Sequence, residues 1–216
     1  NESSRWYPGA GLYRNVHLVV TEDAYVPTWG TYVTTPVVNE KYAKVVLNTK
    51  LATAKGADRS AYRIVTEIKD PNGKVVAKEE NKLSVFNECQ FEQEFAVATP
   101  ALWSVENPFL YTAESKIYAG NTLKDEYTTR FGIRTLEIIP EKGFFLNGKL
   151  TKFKGVCNHH DLGPLGAAVN DAAIRRQIRI MKDMGANAIR TSHNMPAPEL
   201  VEACDEMGMM LMLESF

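Results

Sequence analysis

The stretch Asn187-Ala188-Ile189-Arg190-Thr191, followed by Pro198-Glu199-Leu200-Val201-Glu202-Ala203-Cys204-Asp205-Glu206-Met207-Gly208 and then Met209-Met210-Leu211-Met212-Leu213, decides how the C-terminal part of the chain folds. Its hydrophobic period changes twice. The first segment is short and β-branched, as a buried strand is. The second opens on Pro198, places Leu200, Val201, Cys204 and Met207 on one helical face, and stops at Gly208. The third is an uninterrupted apolar strand. Immediately upstream, Asn170 or Asp171 caps a helix in which Ile174, Ile178 and Met181 recur at i, i+4 and i+7, ending at Gly185. With Phe153–Val156 as the first strand, the order is β-α-β-α-β. Strands this apolar are expected to be covered on both faces, as in a parallel sheet. Three strands do not close a barrel, so the expectation is an incomplete (β/α)8 TIM-barrel segment, cut at Phe216.

From Tyr32 to Ile139 the pattern is different: short β-rich runs separated by turns, with no helical period. Tyr62, Ile64, Thr66 and Ile68 alternate with polar residues. Asp70-Pro71-Asn72-Gly73 then supplies a turn, and Lys74–Ala77 starts the return. Further strands are expected at 43–51, 89–97, 110–118 and 127–134, which suits an all-β immunoglobulin-like sandwich. Phe144–Leu150 is a tight hairpin turning on Asn147-Gly148. The domain expectation is therefore a closing strand of an upstream domain over 1–21, the sandwich over 22–139, and the barrel start over 140–216.

The composition is that of a folded globular chain: 216 residues, 44% hydrophobic and 24% charged. A net charge of −1 with mixed signs gives no footprint for nucleic acid or an anionic membrane. No apolar run approaches the roughly 20 residues of a membrane helix. Cys89, Cys157 and Cys204 are odd in number and widely spaced, which reads as free thiols. The compartment stays open, since any export signal would lie outside the segment.

In a parallel β/α array, functional side chains gather at the C-terminal ends of the strands. Here those ends carry Cys157-Asn158-His159-His160-Asp161, Arg190-Thr191-Ser192-His193-Asn194 and Glu214-Ser215. A single loop histidine is more often structural or solvated than functional. His159 and His193, however, occupy the same topological position on successive strands, which favours function for both. His160 and Asp161 are balanced between the two readings, and His17 reads as structural. Arg190 is costly to bury without an anion. Glu214 is its partner, a direct ligand support, or a residue exposed only by the cut, and the sequence leaves these readings open. The adjacent His-His-Asp does not match zinc-ligand spacing, and no metal site is expected. There is no phosphate-cradling loop and no Gly-x-Ser-x-Gly elbow.

Three motifs, Pro100-Ala101-Leu102-Trp103-Ser104-Val105-Glu106-Asn107-Pro108-Phe109-Leu110-Tyr111, Arg130-Phe131-Gly132-Ile133-Arg134 and Phe145-Leu146-Asn147-Gly148-Lys149, resemble glycoside hydrolase family 2. Lys154–Asp161 and Asn187–His193 are most similar to its β-galactosidase branch. Arg5–Arg14 is similar to the exit from that family's sugar-binding jelly roll. The resemblance implies a retaining exo-β-glycosidase acting on terminal β-linked sugars, with one carboxyl as acid/base and another as nucleophile. In the family both glutamates come from later barrel strands, the acid from an Asn-Glu step, and no such step follows Phe131. The segment is thus expected to hold no catalytic residue and to be inactive alone.

It would instead supply His159, His193 and Asp161 to the sugar. Arg190, with Glu214, matches the arginine that orients the nucleophile, its ionic partner being expected downstream. His160 stands where many relatives carry glutamate, and Asn194-Met195-Pro196 replaces the usual tyrosine-proline. No cofactor is expected within the segment, a divalent or monovalent cation being allowed for in the whole enzyme. The partners expected are a β-linked glycoside and a second copy, through self-association at the open barrel edge. The competing reading is a sandwich that binds carbohydrate or protein without catalysis.

Overall fold

The structure is a computed structural model that describes residues 11–54, 62–83 and 88–215. Arg5–Ala10, part of the family-like opening, and Phe216 lie outside them. The chain divides into two compact units, one of residues 19–103 and 109–135, the other of residues 1–18, 104–108 and 136–216.

The first unit is the sandwich. Its strands are β1 (Ala24–Tyr25), β2 (Thr31–Val38), β3 (Tyr42–Thr53), β4 (Tyr62–Lys69), β5 (Val75–Leu83), β6 (Glu88–Ala98), β7 (Tyr111–Ala119) and β8 (Thr122–Phe131). All pair antiparallel in two four-stranded sheets. In one, β3 is flanked by β6 on one edge and by β1 and β2 on the other; the second runs β5-β4-β7-β8. Alternation sets what faces inward. Tyr62, Ile64, Thr66 and Ile68 of β4 are all buried, as are Tyr111, Ala113, Ser115 and Ile117 of β7. The turn between β4 and β5 forms on Asp70, whose Oδ1 accepts from the backbone of Asn72 and Lys74.

The core has two apolar clusters, one around Val45, Leu47, Phe95 and Ile133, the other around Leu51, Tyr62, Ile64 and Ile117. On β3, β4, β6 and β7 a buried polar row lies among them. Thr66 Oγ1 donates to Gln93 Oε1 at 2.6 Å and sits 2.9 Å from Ser115 Oγ, and Gln93 Nε2 donates to Asn81 Oδ1 at 3.0 Å. Trp103 is buried beneath Gly132, where an added Cβ would lie 2.7 Å from the Trp103 side chain. That close approach explains the glycine in Phe131-Gly132-Ile133.

The second unit holds a small antiparallel sheet of β9 (Leu136–Ile139), β10 (Gly143–Leu146) and β11 (Lys149–Leu150), then the barrel start. Asn147 and Gly148 turn the hairpin with φ of 52° and 72°. The parallel sheet is β12 (Gly155–Asn158), β13 (Ala188–Thr191) and β14 (Met210–Met212), linked by α1 (Asp171–Asp183) and α2 (Pro198–Met207). Asn170 caps α1, its Oδ1 accepting from Ala173 N at 2.9 Å. Ile174, Ile178, Met181, Ile189, Ala203, Cys204 and Met209 form the core of this unit. Burial pushes the Cys204 thiol up to about 12, helped by Asp205. At the end of α1, Lys182 Nζ donates to the carbonyls of Val105, Met207 and Gly208, tying residues 104–108 to the helices.

Three expectations change. Gly11 to Asp23 forms no strand, and Leu12, Val16, Leu18 and Val20 are exposed, because no strand among the described residues pairs with them. The parallel strands are not covered on both faces: Cys157, Arg190 and Met212 are exposed, since α1 and α2 cover only one face. On α2 the core contact beside Cys204 comes from Ala203 rather than Val201. No helix of the described residues is long and apolar enough to cross a membrane.

Candidate functional site

Parallel pairing puts the C-terminal ends of β12, β13 and β14 on one edge. Val156, Ile189 and Leu211 are in register there, as are Cys157, Arg190 and Met212. The backbone can approach this closely because residue 155 is glycine: a Cβ there would lie 2.5 Å from Ala188 O. Beyond this register the chain leaves the sheet, so the polar residues that follow are presented on adjacent loops.

Four of the expected residues come together. The His159 and His193 rings meet edge to face, with centroids 5.8 Å apart and planes at 83°. His193 Nδ1 lies 2.8 Å from Glu214 Oε2, and Arg190 Nε donates to Glu214 Oε1. Glu214 N donates to Thr191 Oγ1 at 2.9 Å, which fixes the backbone from which the carboxylate projects. The His193 hydrogen bond, reinforced by Arg190, holds the Glu214 carboxyl below the usual carboxylate range against the opposing effect of burial. An ionised carboxylate only accepts, so His193 Nδ1 is the donor and Nε2 is the atom left for a ligand.

Of the readings open for Glu214, the structure shows the one that pairs it with Arg190. Arg190 is exposed rather than buried, with Nη1 3.7 Å from Cys157 Sγ. The desolvation cost expected of a buried arginine is accordingly avoided.

Asp161 is not part of this cluster. With His159 and His160 it lines a cavity of about 340 Å³, to which Arg190, His193 and Glu214 do not contribute. His160 faces Tyr13, ring centroids 6.1 Å apart. Sequence reasoning missed Thr191 and the segment Tyr13–Asn15, whose contacts span more than 140 positions and leave no local signal. The Ser192–His193 peptide is cis. Among the described residues no group of three or more His, Cys, Asp or Glu is placed to hold a metal ion, and all three cysteines are free thiols.

The comparisons with known proteins agree with one another. The family described as glycosyl hydrolases family 2 matches residues 25–134, and its TIM barrel domain matches residues 138–215. Over 216 residues the chain is 45% identical to the beta-galactosidase BoGH2A of Bacteroides ovatus, covering 99% of this chain and 25% of that protein. Over 214 residues it is 30% identical to a beta-glucuronidase of Bacteroides fragilis, covering 94% of this chain and 30% of that one. Among solved structures, a glycosyl hydrolase family 2 member from Bacteroides cellulosilyticus superposes with a TM-score of 0.93 at 38% identity, covering 98% of this chain and 28% of that one. A beta-glycosidase from Bacteroides vulgatus gives 0.89 at 36% identity, with 98% and 26% covered. The chain thus spans about a quarter of the length of the curated relatives it matches. With its sandwich and the first strands and helices of its TIM barrel, the chain belongs to glycoside hydrolase family 2.

Proposed function

We propose that this chain supplies the sandwich and the first wall of the sugar pocket of a retaining exo-β-glycosidase of the β-galactosidase type. The observation that carries the reading is the His159–His193 pair at the strand ends, with His193 held by Glu214 and Glu214 held by Arg190. A sugar hydroxyl can hydrogen-bond to His193 Nε2, and such bonds strengthen as the ring becomes oxocarbenium-like. Arg190 and Glu214 act on the sugar through His193, as positioning residues. Asp161 is proposed as a further sugar contact by its place in the motif.

Glu214 itself is a poor nucleophile. Both of its oxygens are engaged, one by Arg190 and one by His193. A retaining mechanism needs two carboxyls about 5–5.5 Å apart, one free to protonate and one free to attack. We place both on barrel strands beyond these 216 residues, so the chain alone turns over no β-glycoside.

A second reading, a non-catalytic binding sandwich, is favoured by Trp29 and Tyr32, which are 80% and 68% exposed. Against it, Trp103 and Tyr111 are buried, and the outer side of β4, β5, β7 and β8 carries ion pairs: Glu67 with Lys78, Lys69 with Glu114, and Lys116 with Glu126. Chromogenic substrates separate the readings. The protein carrying this chain with a complete barrel should hydrolyse β-galactosides with retention and prefer them to β-glucuronides, while the 216 residues alone should hydrolyse neither. Turnover by the chain alone, or submillimolar lactose binding lost in Trp29→Ala, would count against it.

A further inference from the structure

Three consecutive residues, Tyr13, Arg14 and Asn15, reach the loops that carry the two histidines, and each is tied to a different element. Tyr13 faces the His160 ring, in the loop after β12. Arg14 donates from Nη1 to Pro196 O at 3.1 Å and from Nη2 to Met195 O at 2.6 Å, in the loop after β13. Asn15 Nδ2 donates to Glu199 Oε1 at 2.9 Å, in the first turn of α2. The Arg14 guanidinium also lies 5.5 Å from the centre of the Tyr13 ring, which joins the first two contacts.

Of these contacts the Arg14 pair has the most to hold. Among the described residues, backbone–backbone hydrogen bonding along the β13–α2 loop stops at Ser192 N, which donates to Asn158 O at 2.9 Å, and resumes at Leu200 N, which donates to Ala197 O. Between them the carbonyls of Met195 and Pro196 accept from Arg14 instead. Pro196 is buried and has no N–H to pair, while Met195 is exposed. A guanidinium presents its donors in one rigid plane, so two bonds to consecutive carbonyls fix the orientation of that backbone, and bonds from a charged donor are the strong kind. Met195 lies two residues beyond His193, at most about 7 Å along the chain.

His193 is anchored from two sides. Its ring is held by Glu214, beyond the end of β14, and its backbone belongs to the loop that Arg14 clasps. A binding side chain works only when its supporting groups keep it within about 0.5 Å of the productive geometry, and a ring contact alone does not fix a loop backbone. We propose that Arg14 is a positioning residue for His193, acting through the carbonyls of Met195 and Pro196. Its effect on catalysis rests on the reading of His193 as a sugar contact; its effect on the His193 ring does not.

Heteronuclear NMR of the His193 ring nitrogens in this chain, at alkaline pH, reads the positioning, since the tautomer follows the hydrogen bond that Nδ1 makes. The parent should show the Nδ1–H tautomer. Arg14→Ala should convert a measurable part of it to Nε2–H, while the Glu214 amide signal, set by Thr191, stays in place. In the protein with a complete barrel, Arg14→Ala should lower kcat/KM about 3- to 10-fold and lower it no further when His193→Ala is already present, because both changes remove the same contact. If Arg14→Ala does not fold by circular dichroism, Arg14→Gln, which keeps the aliphatic stem but cannot donate from two nitrogens, carries both readouts. Arg14 has no such role if the folded variant keeps the parent's tautomer, or if the Arg14 and His193 losses multiply. A His193→Ala change without effect on kcat/KM would sink the sugar contact instead, and the ring tautomer would then decide the role of Arg14 alone.

Discussion

The sandwich and the barrel start solve the problem of buried polar groups differently. In the sandwich buried Thr66, Gln93 and Ser115 bond to one another and to half-buried Asn81, although buried Thr49 Oγ1 has no partner among the described residues, and the large inward side chains of β3, β4 and β7 are fully buried. In the barrel start His160, Ser192 and Asn194 keep unmatched polar atoms, and Met212 of the edge strand and Leu213 just after it are 58% and 51% exposed. Most buried polar groups of the sandwich satisfy one another, as in a scaffold, whereas the barrel start holds three polar atoms open near its strand ends, and it is in this second unit that we place the chemistry.

Damage to the scaffold should give the largest effects. Trp103→Ala removes a buried aromatic packed against Gly132 and should cost about 3–5 kcal/mol in urea unfolding. A loss under 1 kcal/mol would mean that the sandwich does not depend on this motif. Thr66→Val, which leaves Gln93 Oε1 without its donor, should cost about 1–3 kcal/mol. If it is neutral, the polar row is not closed and the contrast between the units weakens.

The barrel start should respond to pH and to edge charge instead. Glu214 has a folded-state pKa below its unfolded value of about 4.3. Its contribution is therefore fully present above that value and is lost as pH falls through the folded pKa. Acid titration followed by the NMR signal of the Glu214 amide, the donor to Thr191, should show this release, and Glu214→Gln should remove it. We also expect the chain alone to self-associate through the β14 edge, so that Met212→Lys lowers its mass in light scattering. A monomeric parent chain at high concentration would contradict this. The smallest effect should come from Lys116→Ala, which breaks a 3.6 Å surface ion pair with Glu126 and should shift stability by no more than about 0.5 kcal/mol.

Much of the architecture was legible because it is written in local periods. Alternation identified β4, and the spacing of Ile174, Ile178 and Met181, with Asn170 before them, identified α1 and its cap. The short β1 was too brief to show a pattern, and β2 contains Pro36 and a register shift between Thr34 and Val37. At the site, sequence could nominate His159, His193, Arg190 and Glu214 because each lies at or just beyond the C-terminal end of a strand. It could not say that Glu214 joins Arg190 to His193, since that depends on register across β13 and β14. The path of Tyr13–Asn15 was hidden for the same reason: its partners lie at His160, Met195, Pro196 and Glu199.

The most direct test of the account is the rate of β-galactoside hydrolysis by the protein carrying this chain, measured with and without His193→Ala. If His193 is a sugar contact held by Glu214, kcat/KM should fall about 10- to 100-fold while the thermal unfolding transition is retained. Unchanged kcat/KM in the folded variant would contradict the placement of the sugar against the histidine pair.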